Sequence, residues 1–203
     1  MDLDAVEVRV LGCLVEKQRT TPDVYPLSLN SLRAACNQST NRDPVVQYDE
    51  ATIRDALHRL ARRRWARFAS GARAAKYRHL LDENPGLSAD QQSLLAVLML
   101  RGPQTPGELR QRVERLYAFD GDGMDATLGA LIERGFVVRQ PRRPGQKEER
   151  YAHRLSEDLD EEGAMPVVAA SPDAAPPQES RLDRLEREVA ELKRQVAELL
   201  GRE

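Results

Sequence analysis

Residues 57–79 read LHRLARRRWARFASGARAAKYRH, and residues 128–153 read LGALIERGFVVRQPRRPGQKEERYAH. Both open on two leucines three residues apart, Leu57 with Leu60 and Leu128 with Leu131. Five residues on, each reaches a bulky aromatic (Trp65, Phe136), and each closes on Tyr-x-His, as Tyr77 with His79 and Tyr151 with His153. Leucines at that spacing share one face of a helix. The segments that follow, Trp65–Phe68 with Ala75–His79 and Phe136–Arg139 with Glu149–His153, read as short strands. Ser70-Gly71 and Pro141–Gly145 supply the turns between them.

The correspondence extends upstream. Val10-Leu11-Gly12-Cys13-Leu14-Val15 precedes Thr21-Pro22 as Leu94-Leu95-Ala96-Val97-Leu98-Met99 precedes Thr105-Pro106, at an offset of 84, whereas the leucine and aromatic block repeats at 71. The first copy therefore holds about 13 extra residues between its second and third helices. In that copy Leu3, Val6, Val10, Cys13 and Leu14 mark a helix over roughly Asp4–Gln18. Ser28 caps a second helix presenting Leu29, Leu32 and Cys36, and a third from about Asp49 turns Ile53, Leu57 and Leu60 inward. In the second copy a helix runs from a cap at Ser88 to Leu100 and stops at Gly102-Pro103. Thr105-Pro106-Gly107-Glu108 is a capping box opening a helix that buries Leu109, Val113 and Leu116. The third helix is anchored by Leu128, Leu131 and Ile132 and ends at Gly135.

Three helices and then a hairpin is the order of a winged helix, whose second and third helices form a helix-turn-helix and whose hairpin loop is the wing. The expected fold is mainly α with small β-hairpins: tandem winged-helix domains over 1–81 and 87–155, then different material. Residues 157–162 are almost all acidic and 163–179 rich in Ala, Pro and Ser, so 156–179 reads as a disordered linker. Over 180–201, Leu182, Leu185, Val189, Leu192, Val196 and Leu199 recur at alternating spacings of 3 and 4, a coiled-coil-like heptad seam. Fewer than three heptads supports only weak homo-oligomerisation; the alternative is docking on the chain's own winged helices.

The sequence also resembles a known family. Leu14-Val15-Glu16-Lys17-Gln18, Thr20-Thr21-Pro22, Tyr25-Pro26-Leu27-Ser28 and, most distinctively, Ala35–Val45 (ACNQSTNRDPV) are similar to the first block of the YceH family. Leu100–Arg110 (LRGPQTPGELR) resembles its second block, and the likeness covers roughly 3–155. The resemblance implies a bacterial protein with a tandem winged-helix fold. It implies no activity and assigns no functional residues.

Net charge is −2, but it is unevenly placed: residues 1–154 carry +5 and residues 155–203 carry −7. Between 54 and 79, nine basic residues (among them Arg54, Arg59, Arg62, Arg63, Arg73 and Lys76) accompany one acid, Asp55. On the third helix of copy one, Arg54, His58, Arg59 and Arg62 are expected to face outward, and the second wing adds Arg142, Arg143 and Lys147. That is the footprint of phosphate binding, and duplex DNA is the expected partner. Against it stands the fact that 27 of 31 basic residues are Arg, which codon bias could produce. Winged helices also dock proteins, so a scaffold with a protein partner is the alternative. The insertion offers a second candidate, with Gln38, Thr40, Asn41 and Arg42 able to hydrogen-bond bases or a small polar ligand; the competing reading is that these side chains tie the loop to helix two.

Catalysis finds no support: there is no HxxxH, CxxC, Walker loop or GxGxxG, so neither metal nor cofactor is expected. His79 and His153 occupy equivalent positions and are expected to pack. Cys13 and Cys36 fall in apolar helical patterns and read as free, buried thiols of a cytoplasmic protein. No apolar run reaches the ~20 residues of a membrane span, and Met1-Asp2-Leu3-Asp4 lacks the basic start of a signal peptide.

Overall fold

A computed structural model describes residues 3–69, 75–142 and 148–156. Helix α1 (Ala5–Thr20) begins at Asp4, whose carboxylate accepts the Glu7 N–H (2.8 Å) while Glu7 accepts the Asp4 N–H (3.0 Å). A strand of two residues, β1 (Leu27–Ser28), leads into α2 (Leu29–Cys36), capped by Ser28. Next come α3 (Glu50–Arg62), capped by Asp49, and strands β2 (Ala66–Ala69) and β3 (Lys76–His79). The second copy supplies α4 (Ala89–Arg101), α5 (Pro106–Val113), α6 (Gly123–Glu133), β4 (Val137–Gln140) and β5 (Arg150–His153). The expected cap at Ser88, whose N–H donates to Gln91 Oε1 (3.2 Å), and the expected capping box at Thr105 are present. The chain is thus mainly α with small antiparallel sheets, and three helices precede a hairpin in both halves.

Helix α3 and helix α6 stop by the same device. Trp65 N donates to Leu60 O (3.0 Å) and Arg64 N to Ala61 O (3.0 Å), as Phe136 N donates to Leu131 O (2.9 Å) and Gly135 N to Ile132 O (2.9 Å). This 6→1 and 5→2 pattern needs a left-handed residue after the cap. Gly135 (φ 75°) provides it in copy two, and Arg64 (φ 61°) in copy one. The constant Leu-to-aromatic spacing in the sequence is the trace of this motif.

One element was not expected. β1 pairs with β3, Leu27 opposite Tyr77, and makes a sheet ordered β1-β3-β2. In copy two the corresponding strand shrinks to one residue: Gln104 exchanges backbone hydrogen bonds of 2.9 and 2.8 Å with Tyr151. One expectation for copy two is corrected. Ile132 is 37% exposed, and Met124 takes its place beside Leu128 and Leu131, because 124, 128 and 131 keep helical spacing on one face. Thr127 is buried, its hydroxyl 2.7 Å from Asp90 Oδ2 and 2.9 Å from Gly123 O, the two acceptors sharing its one proton.

The two copies share one core. α1 packs on α4 as well as on α2 and α3, which explains why both helices are buried on all sides, over Glu7–Glu16 and Gln92–Leu100, rather than along one stripe. Gly12 makes the close approach possible, since a Cβ there would lie 3.0 Å from the Leu100 side chain. The described residues all fall in one compact unit, Met1–Met165. The expected linker beyond 156 and the heptad helix with Leu182, Leu185, Val189, Leu192, Val196 and Leu199 lie outside the described residues, as do the Ser70-Gly71 turn, Arg73, Arg143 and Lys147.

Candidate nucleic-acid interface

On α3, Ile53, Ala56, Leu57 and Leu60 are buried, so Arg54, His58 and Arg62, four residues apart, form an exposed row. Beyond the helix, Arg63, Arg64 and Arg67 are exposed as well. Phe68 on β2 is 44% exposed and sits beside this row, its ring 5.7 Å from His58 and 5.2 Å from Tyr77. An exposed aromatic flanked by guanidinium groups is a surface suited to nucleic acid. The sequence reading did not single out Phe68, although an aromatic on the outward register of β2 was its signal.

The charge on this face is smaller than the sequence count. Acids arrive from distant parts of the chain. Arg59 donates to Asp4 (2.7 Å) and lies 3.7 Å from Glu7, a carboxylate buried under the helix, and Arg63 lies 3.7 Å from the same group. Glu50 is 3.9 Å from Arg54 and 3.7 Å from Arg33, and Glu83 serves Arg67 (3.8 Å) and Arg78. Arg59 is therefore corrected from a fully solvated residue to a half-buried one that neutralises an interior acid. Among the described residues, Arg62, Arg64, Lys76 and Arg142 are in no ion pair; Lys76 is half-buried at the start of β3, and Arg142 is exposed beyond β4.

In the insertion, side chains tie the loop to helix α2, as the second reading of it had it, and also to α1. Asn37 closes it, donating to Tyr48 O (2.8 Å) and accepting Tyr48 N–H (2.8 Å). Arg42 turns inward. Its Nε donates to Ala35 O (3.1 Å), Nη1 to Asn41 O (2.8 Å) and Glu16 Oε1 (3.3 Å), and Nη2 to Glu16 Oε2 (2.5 Å) and Gln38 Oε1 (2.8 Å). Five donors have five acceptors inside the protein, so Arg42 is corrected from a ligand-facing residue to an internal strut. Burial by itself would raise the Glu16 carboxyl, but the Arg42 bond and the charges of Arg42, Arg115 and Lys17 outweigh it and hold Glu16 below the usual range. Asn41, in the left-handed region at φ 59°, binds Arg101; Thr40 is exposed.

Cys13 and Cys36 are free and fully buried, as expected. His79 and His153 are buried, and burial pushes both down to about 4. Among the described residues no group of His, Cys, Asp and Glu is arranged to hold a metal, and no helix is long and apolar enough to cross a membrane.

These features define a mainly helical protein whose two halves repeat one motif around a shared core. The chain belongs to the DUF480 family, described as a protein of unknown function, whose model matches residues 3–146. A UPF0502 protein of Solibacter usitatus is 47% identical over 95% of this chain and 93% of its own length. UPF0502 proteins of Pelobacter propionicus (45% identical; 99% and 98%) and Pectobacterium atrosepticum (44%; 98% and 98%) are similarly related.

Proposed function

We propose that this chain is a non-enzymatic, cytoplasmic tandem winged-helix protein of the YceH type that binds duplex DNA through α3 and the hairpin of its first copy. The observation that carries the reading is the exposed row Arg54, His58 and Arg62, continued by Arg64 and flanked by exposed Phe68. In this arrangement the arginines contact phosphates, which position the protein, and His58 with Phe68 faces the groove. The second copy is the weaker candidate. Its α6 offers exposed Ile132 and Glu133 where copy one offers Ala61 and Arg62.

Titration of the full chain against a labelled duplex, at salt from about 50 to 200 mM, tests this reading; affinity falls steeply over that range. Arg54→Ala with Arg62→Ala weakens binding to all sequences and lowers the salt slope by about one unit per lost phosphate contact. Absence of binding by the unaltered chain at low salt overturns the DNA reading. The neutralisation of Arg59, Arg63 and Arg67 by Asp4, Glu7 and Glu83 favours the second reading, a protein scaffold, whose partner would bind with little salt dependence.

A further inference from the structure

Where the C-terminal half of α1 meets the insertion, the end of α4 and α5 with the turn after it, arginines outnumber acids. Glu16 accepts from both Arg42 and Arg115, with Lys17 at 4.0 Å. Glu108 is shared by Arg112 (3.5 Å) and Arg150 (3.3 Å). Arg101, the last residue of α4, has no carboxylate partner among the described residues and donates instead to the amide oxygen of Asn41. Two carboxylates thus serve five cations, and Arg101 is a sixth without one. The remaining acids nearby, Asp43 and Glu114, are exposed and in no ion pair among the described residues.

The seam is also held in place. Asp43 N donates to Leu100 O (2.8 Å), which fixes the insertion against the end of α4, and Arg42 anchors it from below. Arg101 and Arg112 are half-buried, so their charges are less screened than those of exposed residues while their tips remain within reach of solvent. The crowding is felt at Arg101. Burial and the charges of Arg112, Arg115 and Arg42 outweigh Glu16 and make its proton easier to lose than usual.

We propose that Arg101, Arg112 and Arg115, with Asn41, form a binding site for a compact phosphate-bearing anion, a phosphate monoester or pyrophosphate. Asn41, which holds Arg101, precedes Arg42; Arg42 shares Glu16 with Arg115, and Arg112 stands one helical turn before Arg115, so the three guanidinium groups lie along one seam. Together they offer more donors than the oxygens of one carboxylate accept, whereas a terminal phosphoryl group presents three oxygens and nearly two charges. The site is separate from the α3 face. Glu16 lies nine residues along α1 from Glu7, which neutralises Arg59 and Arg63, a displacement of roughly 14 Å at 1.5 Å per residue. It does not depend on the DNA reading.

Calorimetric titration of the full chain with inorganic pyrophosphate, ionic strength matched with sodium chloride, tests the proposal. Saturable one-to-one binding is expected. Arg112→Gln and Arg101→Gln each weaken it by at least about tenfold, the loss expected for one charge-assisted pair. Arg112→Gln leaves the interior pairs of Glu16 intact, so it reads the site even where Arg101→Gln loosens the loop. Arg62→Ala, on the α3 face, leaves pyrophosphate affinity unchanged. Absence of saturable heat, unchanged affinity in Arg112→Gln, or equal weakening by Arg62→Ala overturns the site. Displacement of bound pyrophosphate by a short duplex at equal phosphate concentration also overturns it, by assigning the seam to nucleic acid.

Discussion

His79 and His153 each accept, on Nδ1, the backbone N–H two residues downstream, from Leu81 at 3.2 Å and from Leu155 at 3.3 Å. With Nδ1 accepting, the proton of the neutral ring sits on Nε2, and in copy one Nε2 lies 2.6 Å from Gln18 Oε1, an acceptor for it. Protonation would replace the accepted bond by a second donor aimed at an N–H. The repeat thus preserves a chemical state as well as a shape: two buried, neutral imidazoles that end the hairpins.

A dependence of stability on pH follows. Both rings titrate near 4 in the fold, below the ~6.5 of an unfolded chain, so between these values the unfolded state binds more protons. Stability is fully present above pH ~6.5 and is lost as pH falls towards 4, by about 3 kcal/mol for each ring. Denaturant unfolding at a series of pH values checks this, and His153→Asn should remove about half of the slope. A profile flat across this window would mean that the rings are charged in the fold.

The left-handed Arg64 stands where copy two has Gly135. A non-glycine residue at φ 61° costs roughly 1 kcal/mol. Arg64→Gly should therefore raise stability by up to about 1 kcal/mol in thermal or denaturant melts, and weaken duplex binding if the α3 face binds DNA. A strained residue retained for its side chain gains stability and loses affinity on the same change.

Much of this was legible in the sequence. Caps at Ser88 and Thr105 and the Leu60-to-Trp65 spacing announce themselves because they depend on residues within a few positions. β1 is invisible because a strand of two residues has no period, and its partner β3 lies about 50 residues on. Arg42 sits among polar neighbours and looks solvated; only the tertiary arrival of Glu16 draws it inside. The same reason made the α3 face look more positive than it is. Asp4, Glu7 and Glu83 are remote in sequence from the helix they neutralise, so a local charge count cannot include them.

The Glu16–Arg42 pair joins α1 to the insertion with side chains 2% and 0% exposed. Glu16→Gln strands a buried guanidinium and should cost about 3–5 kcal/mol. Glu16→Leu with Arg42→Met removes both charges and should recover most of that loss. Denaturant melts of the two variants measure the difference, and a double variant as unstable as the single one would mean that the loop, rather than the charge, sets the cost.

Cys13 and Cys36 are both at 0% exposure, so a thiol reagent reaches them only through opening of the fold. Native protein should leave both thiols unreacted over minutes, and denaturant should release two. Immediate reaction of either in the native protein would place it at the surface.

Arg59 and Arg62 stand one turn apart on α3 but differ in what they touch, and that difference separates structure from binding. Arg59 bridges Asp4 at 2.7 Å and faces buried Glu7 at 3.7 Å, whereas Arg62 has no acid partner among the described residues. Removing Arg59 takes one of the two cations from an interior carboxylate, so Arg59→Ala should destabilise by roughly 1–2 kcal/mol, between the values for exposed and buried pairs. Arg62→Ala should stay within about 0.5 kcal/mol of the unaltered chain, as exposed changes do. Duplex affinity should follow the opposite order. Arg62 offers its guanidinium to phosphate at no cost to an internal pair, whereas Arg59 would have to release Asp4 first, so Arg62→Ala reduces affinity and the salt slope more than Arg59→Ala does. Melts and duplex titrations on the two variants read both quantities. If Arg59→Ala proves the more damaging to binding at full stability, the Asp4 and Glu7 pairs are too weak to withhold its charge, and the phosphate-contacting face must be redrawn to include it.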